Sequence, residues 1–457
     1  MDFNAKLDAA LLALREDMTE TLARWVKVPS VRAERSGNNA PFGAEIRRAL
    51  DTAMADIARL GLTPRDVDGY ACDAEIGAGE DVLAVLAHLD VVPEGDGWTH
   101  DPYGAEIEDG RMYGRGTGDD KGPAVAALFA MKAILDAGIP LTRRCRLILG
   151  CDEECGMQDL EYYEEKIGLP ERGFSPDADF PVINTEKGIM GMILCARVDD
   201  ARLLELSAGT RQNVVPGVAQ ALVAGDWREQ AAEAFDVEED GCEIEAELCG
   251  ENTRIRVTGV PAHASMPDAG RNAAKMLLRV LSKLGIGGAP IALLDEAAGS
   301  ENAGRALGIA GRDEVSGELT INLGLLSLLG GKLSVTFDCR YPVFFSDETI
   351  AATVEKRLAP AGFAMAEKNA SAPHHVPESS ELVRALIGVY NAITGEDAKP
   401  FAIGGGTYAR HLKEGVAYGM LFPGEPELAH QAEENISLEG LYKAARIYAY
   451  AIVALCA

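Results

Sequence analysis

The sequence lacks the segments that would anchor a protein in a membrane or direct it out of the cell. Its 457 residues contain no apolar run long enough to span a bilayer, and residues 1–6 show no basic stretch leading into an apolar core. The nine cysteines are scattered without the spacing of a disulfide framework, which is typical of a reducing cytoplasm. We therefore expect a cytoplasmic protein without membrane contact.

Positive charge is also scarce. The chain has 43 Lys and Arg against 72 Asp and Glu, a net charge of −29. A field of that sign repels phosphate backbones and anionic lipid, so nucleic acid is excluded as a partner. The glycine-rich run at residues 114–118 lacks the full dinucleotide fingerprint and the P-loop Lys-Ser/Thr ending, so it does not predict a nucleotide site.

The composition is that of a globular protein, and the length exceeds one ordinary core. Hydrophobic residues make up 47% and charged residues 25% of the chain, so at least two domains are expected. Apolar residues at helical spacing predict helices over residues 3–25, 44–60, 124–135 and 438–455. Ser437 is a plausible N-cap for the last of these.

One stretch carries candidate functional residues at a strand end. Residues 82–87 are continuously apolar, which is typical of a buried strand in a parallel sheet, and they lead directly into His88-Leu89-Asp90. A period of two puts His88 and Asp90 on the same side. A histidine that binds a metal usually donates its other ring N–H to a carboxylate, and His88 with Asp90 supplies both partners.

Two further acidic segments follow neighbouring elements. Asp119 lies in the loop before the helix predicted at residues 124–135, and Glu153 and Glu154 follow an apolar strand at residues 146–150. Ligands of open α/β sheets bind at the carboxyl ends of the strands, so these side chains are expected to meet there.

Each of these residues also has a purely structural interpretation. His88 alone could be a hydrogen-bonded core histidine, and Glu153 with Glu154 could be a solvated surface pair in a chain this acidic. For His88, the Asp two positions later and the acidic partners favour function; for Glu153 and Glu154, their position after an apolar strand does. Chemistry alone does not separate Asp119 from its neighbour Asp120.

The motifs form a set that resembles the dinuclear zinc MH clan of metallopeptidases and is most similar to the PepV-type, carnosinase-like bacterial dipeptidases. They lie in family order along nearly the whole chain. The motifs are Ala-His88-Leu-Asp90, Gly-Thr-Gly-Asp119-Asp-Lys-Gly-Pro, Asp152-Glu153-Glu154, Asp177-Ala-Asp-Phe-Pro, Asn213-Val-Val-Pro, Ala-His263-Ala-Ser-Met-Pro, Asp338-Cys-Arg340-Tyr-Pro, Gly404-Gly405-Gly406-Thr-Tyr-Ala-Arg and Glu-Leu-Ala-His430-Gln.

The resemblance implies a centre with two metal ions. Asp119 is expected to bridge them; His88 and Asp177 complete one site, and Glu154 and His430 complete the other. Mixed histidine and carboxylate donors suit Zn²⁺ and tolerate Mn²⁺ or Co²⁺.

The resemblance also implies catalytic roles. Glu153 is the expected general base for a metal-activated hydroxide, and Asp90 is the expected partner of the His88 ring.

The same resemblance implies a peptide substrate. His263 is expected to stabilise the oxyanion when the domains close, and Arg340 to bind a free C-terminal carboxylate, although Arg340 could instead pair with Asp338. Asn213, Gly405 and Gly406 are the further polar contacts.

The expected function is therefore hydrolysis of dipeptides with free N- and C-termini. The alternatives are an N-acyl-amino-acid deacylase or desuccinylase of the same clan and a non-catalytic peptide-binding homologue.

The expected architecture is a catalytic domain interrupted by a lid. Residues 1–186 and 373–457 are predicted to form an α/β domain with a doubly wound, mostly parallel sheet and helices on both faces. Residues 187–372, where strands alternate with helices after a composition shift, are predicted to form an inserted α+β lid domain with up to two lobes. The PepV-type resemblance favours a monomer over a homodimer.

Overall fold

The structure, a computed structural model, describes residues 4–235 and 241–457. The chain forms two compact units. Unit 1 comprises Met1–Asn184, Val376–Phe401 and Thr407–Ala457, and unit 2 comprises Thr185–His375 and Ala402–Gly406.

The helices and strands are given in chain order. The α-helices are α1 (Ala5–Ala13), α2 (Arg15–Val26), α3 (Ala44–Arg59), α4 (Lys121–Asp136), α5 (Gln158–Lys166), α6 (Arg228–Ala234), α7 (Ala273–Lys283), α8 (Gly288–Ala298), α9 (Asp347–Leu358), α10 (Glu381–Thr394) and α11 (Leu438–Cys456). The strands are β1 (Arg65–Val67), β2 (Ala71–Ile76), β3 (Val82–His88), β4 (Glu106–Glu108), β5 (Arg111–Tyr113), β6 (Arg144–Gly150), β7 (Arg172–Ser175), β8 (Ala178–Asp179), β9 (Ile183–Glu186), β10 (Gly188–Arg197), β11 (Leu203–Ala208), β12 (Val218–Ala224), β13 (Glu243–Cys249), β14 (Asn252–Thr258), β15 (Arg312–Asp313), β16 (Gly317–Glu318), β17 (Thr320–Leu329), β18 (Lys332–Tyr341), β19 (Ala364–Ser371), β20 (His374–His375), β21 (Phe401–Ile403), β22 (Glu414–Ala417), β23 (Met420–Leu421) and β24 (Asn435–Ser437).

The main sheet of unit 1 has a parallel centre. Its strands run in the order β1-β2-β6-β3-β7-β22, and the pairs β6–β3, β3–β7 and β7–β22 are parallel. Strands β1 and β2 add to one side in antiparallel fashion. Strand β3 therefore lies between β6 and β7, and the carboxyl ends of these three strands lie at the same edge.

Both faces of this sheet are covered. Along β3, Leu83 and Val85 pack into the core formed by the helices α1–α4, α10 and α11, while Ala84 and Leu86 pack on the other side against residues of α5 such as Leu160. Side chains of a strand alternate between faces, so burial on both sides requires the continuous apolar run seen in the sequence.

Unit 2 is built on a second sheet with a core of its own. Its strands run in the order β13-β14-β12-β11-β17-β18-β10-β19, and every neighbouring pair is antiparallel. Helix α7 packs its buried residues on this sheet, and Asn272 caps the helix by accepting hydrogen bonds from the amides of Ala274 and Lys275.

The predicted α/β fold with an inserted α+β segment is confirmed, with local differences. The sheet of unit 1 is mixed because its edge pairs are antiparallel. The helix predicted over residues 3–25 is divided at Leu14 into α1 and α2, and strands β1 and β2 have no counterpart in the prediction. None of the helices in the described ranges has the length and apolarity to span a membrane.

The N-cap predicted at Ser437 is present, and its contribution to the stability of the protein can be measured. The Ser437 hydroxyl accepts a hydrogen bond from the amide of Gly440 at 3.2 Å, at the start of the largely buried helix α11. Ser437→Ala should reduce the free energy of unfolding by about 1 kcal/mol, because one helix-terminal N–H loses its acceptor. Urea unfolding followed by circular dichroism measures the change. Ser437→Asp, which restores an acceptor, should remain near wild type; equal stability of the Ala variant would contradict the cap.

Candidate metal centre

His88 is the last residue of β3, and its surroundings define the orientation of its ring. Nδ1 lies 3.0 Å from the carbonyl oxygen of Asp90 and 3.4 Å from Oδ1 of the same residue. Because a carbonyl only accepts, Nδ1 donates, which leaves Nε2 of the neutral ring with an available lone pair. The backbone N–H of His88 donates to Oδ2 of Asp120 at 3.0 Å, so Asp120 supports the strand end.

Asp119 lies between two imidazole rings. Its Oδ1 is 3.1 Å from Nε2 of His88, and its Oδ2 is 3.1 Å from Nε2 of His430. The preceding loop reaches this position through Gly116, whose φ of 87° lies in the left-handed region that glycine adopts without strain. Asp119 and Asp120 thus differ in surroundings: the first faces both rings, and the second supports the backbone of one.

Glu153 and Glu154 begin a short 3₁₀ turn directly after β6. Their backbone N–H groups donate to the two carboxylate oxygens of Asp90, at 3.2 Å and 3.1 Å. Asp90 therefore holds both the turn and, through its carbonyl, the ring of His88. Oε1 of Glu154 lies 3.0 Å from Nε2 of His430.

The candidate ligands form two groups. His88, Glu153 and Asp177 each offer one donor atom within 4.8 Å of the others, and so do Asp119, Glu154 and His430. Asp177 follows β7, and its Oδ2 lies 3.6 Å from His88 Nε2. The structure thus brings together all five residues expected to bind metal, with Glu153 beside them.

The two imidazoles lie in an environment that favours positive charge. Burial alone would lower the pKa of His88, but the neighbouring carboxylates of Asp119, Asp177 and Asp90 raise that pKa well above its ordinary value. Burial would also lower the pKa of His430, but the carboxylates of Asp119 and Glu154 outweigh burial and raise that pKa to about 11.

The surroundings of the carboxylates shift their pKa values in different directions. Burial raises the pKa of Glu153 well above its ordinary value, raises that of Glu154 to about 7, and also raises that of Asp177. Burial acts in the same direction on Asp119, but the two histidines beside its carboxylate outweigh burial and lower its pKa. The cluster concentrates negative charge that a bound cation would stabilise.

The donor set fits divalent cations. Nε2 of His88 is buried and has no hydrogen bond of acceptable geometry among the described residues, although two carboxylates face it. A buried nitrogen without a hydrogen bond, opposite several carboxylate oxygens, has the chemistry of a metal ligand. Each group combines one imidazole with two carboxylates, a set that suits zinc and neighbouring transition metals.

The residues expected to contact substrate lie in unit 2, where four segments adjoin. Val214 forms an isolated β-bridge with His263, and the carbonyl of Asn213 accepts from the amide of Ala264 at 2.9 Å. The adjacent Ser265 lies against Gly404, where an added Cβ would come within 2.9 Å of it. Gly405 and Gly406 follow directly in the chain.

Arg340 belongs to the same cluster and makes the pairing that the sequence left open. Its Nε and Nη2 donate to the carboxylate of Asp338 at 2.6 and 3.1 Å, and its Nη1 donates to the carbonyl of Gly404 at 2.7 Å. These bonds use three of the five N–H groups of the guanidinium. Two N–H groups remain for a ligand, and the substrate role of Arg340 stays a prediction.

Two supporting residues were missed by the sequence analysis. Tyr408 is buried beside the His88 ring, with ring centroids 6.1 Å apart, and its hydroxyl donates to the buried carboxylate of Asp159. Glu434 accepts hydrogen bonds from the loop that carries Asp119. Tyr408 lies within one of the motifs named above, whereas nothing in the sequence distinguishes Glu434 from the many other acidic residues of this chain.

Comparison of the sequence with known proteins identifies relatives along the whole chain. The profile of peptidase family M20/M25/M40 matches residues 84–454. A Bacillus subtilis protein named "Putative dipeptidase YtjP" is 37% identical over 463 residues, covering 98% of this chain and 99% of its own. A Staphylococcus haemolyticus protein named "Putative dipeptidase SH1171" is 34% identical, covering 96% of each chain.

Solved structures share the fold at low sequence identity. Human carnosine dipeptidase 1 matches with a TM-score of 0.60 at 15% identity, covering 99% of both chains. The dipeptidase Dug1p from Saccharomyces cerevisiae matches with a TM-score of 0.60 at 12% identity, covering 98% of both. These matches show the fold, and the family profile and the sequence relatives show that the chain is a peptide hydrolase and belongs to peptidase family M20/M25/M40.

Proposed function

We propose that this peptidase is a dipeptidase that works with two divalent cations, held by His88, Asp119, Glu154, Asp177 and His430. The observation that carries the proposal is the position of Asp119, whose two carboxylate oxygens each lie 3.1 Å from a different imidazole Nε2. A carboxylate shared in this way suits a bridge between adjacent cations. Zinc is the proposed ion, and manganese or cobalt would also suit these donors.

In the proposed reaction, the cations and the protein side chains have different roles. Two divalent cations bound at these groups would lower the pKa of a water molecule and polarise the peptide carbonyl. Glu153 accepts the proton of the attacking water on its carboxylate and delivers it to the leaving amine.

Asp90 contributes by orientation. Its carboxylate receives the backbone N–H groups of Glu153 and Glu154, and its carbonyl receives Nδ1–H of His88. The base and one imidazole are therefore held by a single residue. A fixed arrangement of reacting groups lowers the reorganisation needed in the transition state.

The proposed substrates are dipeptides with free N- and C-termini. The relatives named as dipeptidases support this choice. So does the clustering in unit 2 of Asn213, His263 and Arg340 with the Gly404–Gly406 segment, because amide, imidazole, guanidinium and backbone N–H groups are donors suited to a peptide carbonyl and a terminal carboxylate.

A substrate panel tests the proposed function. Purified protein treated with chelator should be inactive, and Zn²⁺, Mn²⁺ or Co²⁺ should restore hydrolysis of unprotected dipeptides, measured by release of free amino acids. N-acetyl and N-succinyl amino acids, and dipeptides amidated at the C-terminus, should be poor substrates. Preferred cleavage of the N-acyl compounds would instead identify a deacylase. Metal-loaded protein that binds dipeptides without cleaving them would identify a peptide-binding protein.

The role of Glu153 has a separate test. Glu153→Gln removes the base but keeps the side-chain shape, so kcat for a dipeptide should fall by at least about 100-fold. Metal analysis of the purified variant should still give two ions per chain.

Glu161→Gln is the matched control. Glu161 is an exposed acid on α5, so its variant removes the same charge and should retain wild-type kcat. Loss of one ion from Glu153→Gln would contradict the role as base and make Glu153 a ligand of the group that contains His88 and Asp177.

A further inference from the structure

Glu434 is a buried carboxylate bound to the loop that carries Asp119. Only 1% of the residue is exposed. Its Oε1 accepts from three backbone N–H groups, those of Gly116 at 3.0 Å, Gly118 at 2.9 Å and Asp119 at 3.2 Å. Its Oε2 accepts from Nη1 of Arg115 at 2.6 Å.

A short β-ladder determines this position. Strand β24 pairs antiparallel with β5, with Asn435 opposite Tyr113, and the amide of Gly114 donates to the carbonyl of Glu434 at 2.9 Å. The residue before β24 is thereby held against the first residue after β5. The side chain of Glu434 then contacts four of the next five residues, Arg115, Gly116, Gly118 and Asp119, and His430 lies four positions before Glu434 in the chain.

The backbone and the side chain of Asp119 consequently contact different neighbours. Its backbone N–H is held by Glu434, and its two carboxylate oxygens face the rings of His88 and His430. Rotation or displacement of the loop would move both oxygens together. One oxygen faces His88 and the other faces His430, so both candidate cation positions depend on where the Asp119 loop lies.

We propose that Glu434 is a positioning residue that holds Asp119 in its bridging orientation and so couples the affinities of the two cation positions. This inference rests on the proposed function, because it presumes that Asp119 binds both ions. Glu434 is not itself assigned as a ligand: its Oε1 accepts three N–H bonds and its Oε2 accepts the charge-assisted bond from Arg115.

The physical basis is the cost of disturbing a buried ion pair. Arg115 and Glu434 are each about 1% exposed, and their charges compensate one another. Replacing the carboxylate by an amide leaves the buried guanidinium without its counter-charge and turns one acceptor into a donor that faces it. The loop must shift to relieve this contact, and Asp119 shifts with it.

The neighbouring Glu433 provides a matched control. It is on the same loop and also accepts backbone N–H groups, but from Thr99 and His100, together with His100 Nδ1 at 2.6 Å. Glu433→Gln therefore removes the same charge from the same segment without touching the Asp119 loop. Any general effect of charge on cation binding should appear equally in both variants.

The experiment measures metal affinity apart from catalysis. Metal-free wild type, Glu434→Gln and Glu433→Gln are titrated with Zn²⁺ against a chromophoric chelator, and the Co²⁺-loaded proteins are compared by visible absorption. Glu434→Gln should lose about 10- to 100-fold in affinity at both positions and show an altered Co²⁺ spectrum. Its kcat for a dipeptide should fall more than its KM rises. Glu433→Gln should bind both ions like wild type.

Several results would overturn the inference. These are wild-type affinity and spectrum in Glu434→Gln, weakened binding of one ion only, and a lower unfolding temperature of the metal-free variant with unchanged affinity, which would show a merely structural role. If Glu434→Gln does not fold, Glu434→Asp replaces it; it keeps the charge but is too short for all four bonds, and it should weaken both positions. Failure of the wild type to bind two ions would overturn the proposed function itself.

Discussion

The candidate metal centre depends on one electrostatic constraint: a concentration of carboxylates that must be stabilised at the edge of a parallel sheet. Asp90, Asp119, Glu153, Glu154 and Asp177 meet around the imidazoles of His88 and His430. Burial disfavours the charged form of a carboxylate, and neighbouring carboxylates repel it. Both effects raise the pKa of Glu153 and of Asp177. A bound positive charge stabilises such a cluster, and divalent cations would supply that charge.

The neighbouring structure supports this cluster in layers. Backbone N–H groups are directed to Asp90 at one end and to Glu434 at the other. Tyr408 packs beside His88 and donates to Asp159, whose carboxylate accepts from the amides of Cys151 and Asp152 after β6. His88, Asp119 and the turn that carries Glu153 and Glu154 thus have orienting partners, which reduces the reorganisation needed to bind an ion.

Much of this was predictable because strand ends leave a clear pattern. The apolar run before His88 predicted a strand buried on both faces, and parallel strands bring their carboxyl ends to one edge, so Asp119, Glu153 and Glu154 were expected to be near it. The helix at residues 438–455 and its cap Ser437 followed from periodicity alone, and the structure has α11 at Leu438–Cys456. The roles assigned to these residues came from the resemblance and stay predictions.

Other features could not be read from the sequence because they depend on tertiary register. Strand β5 has three residues, too few to show a period, yet its pairing with β24 decides where Glu434 lies. The short return of Ala402–Gly406 to unit 2 lies in a glycine run without any periodicity. Predicted domain limits at residues 186 and 373 therefore differ by a few residues from the limits of the compact units, and the division into catalytic and lid domains stays a prediction.

The origin of the donors differs between the two groups of candidate ligands. His88 is the last residue of β3, and Glu153 and Asp177 follow the ends of the adjacent strands β6 and β7 within three residues. Asp119 and His430 come from loops, and His430 has a φ of 64° in the left-handed region. The group around His88 is therefore joined to the sheet by shorter segments than the group around His430, although a bridge through Asp119 would make both positions depend on one loop.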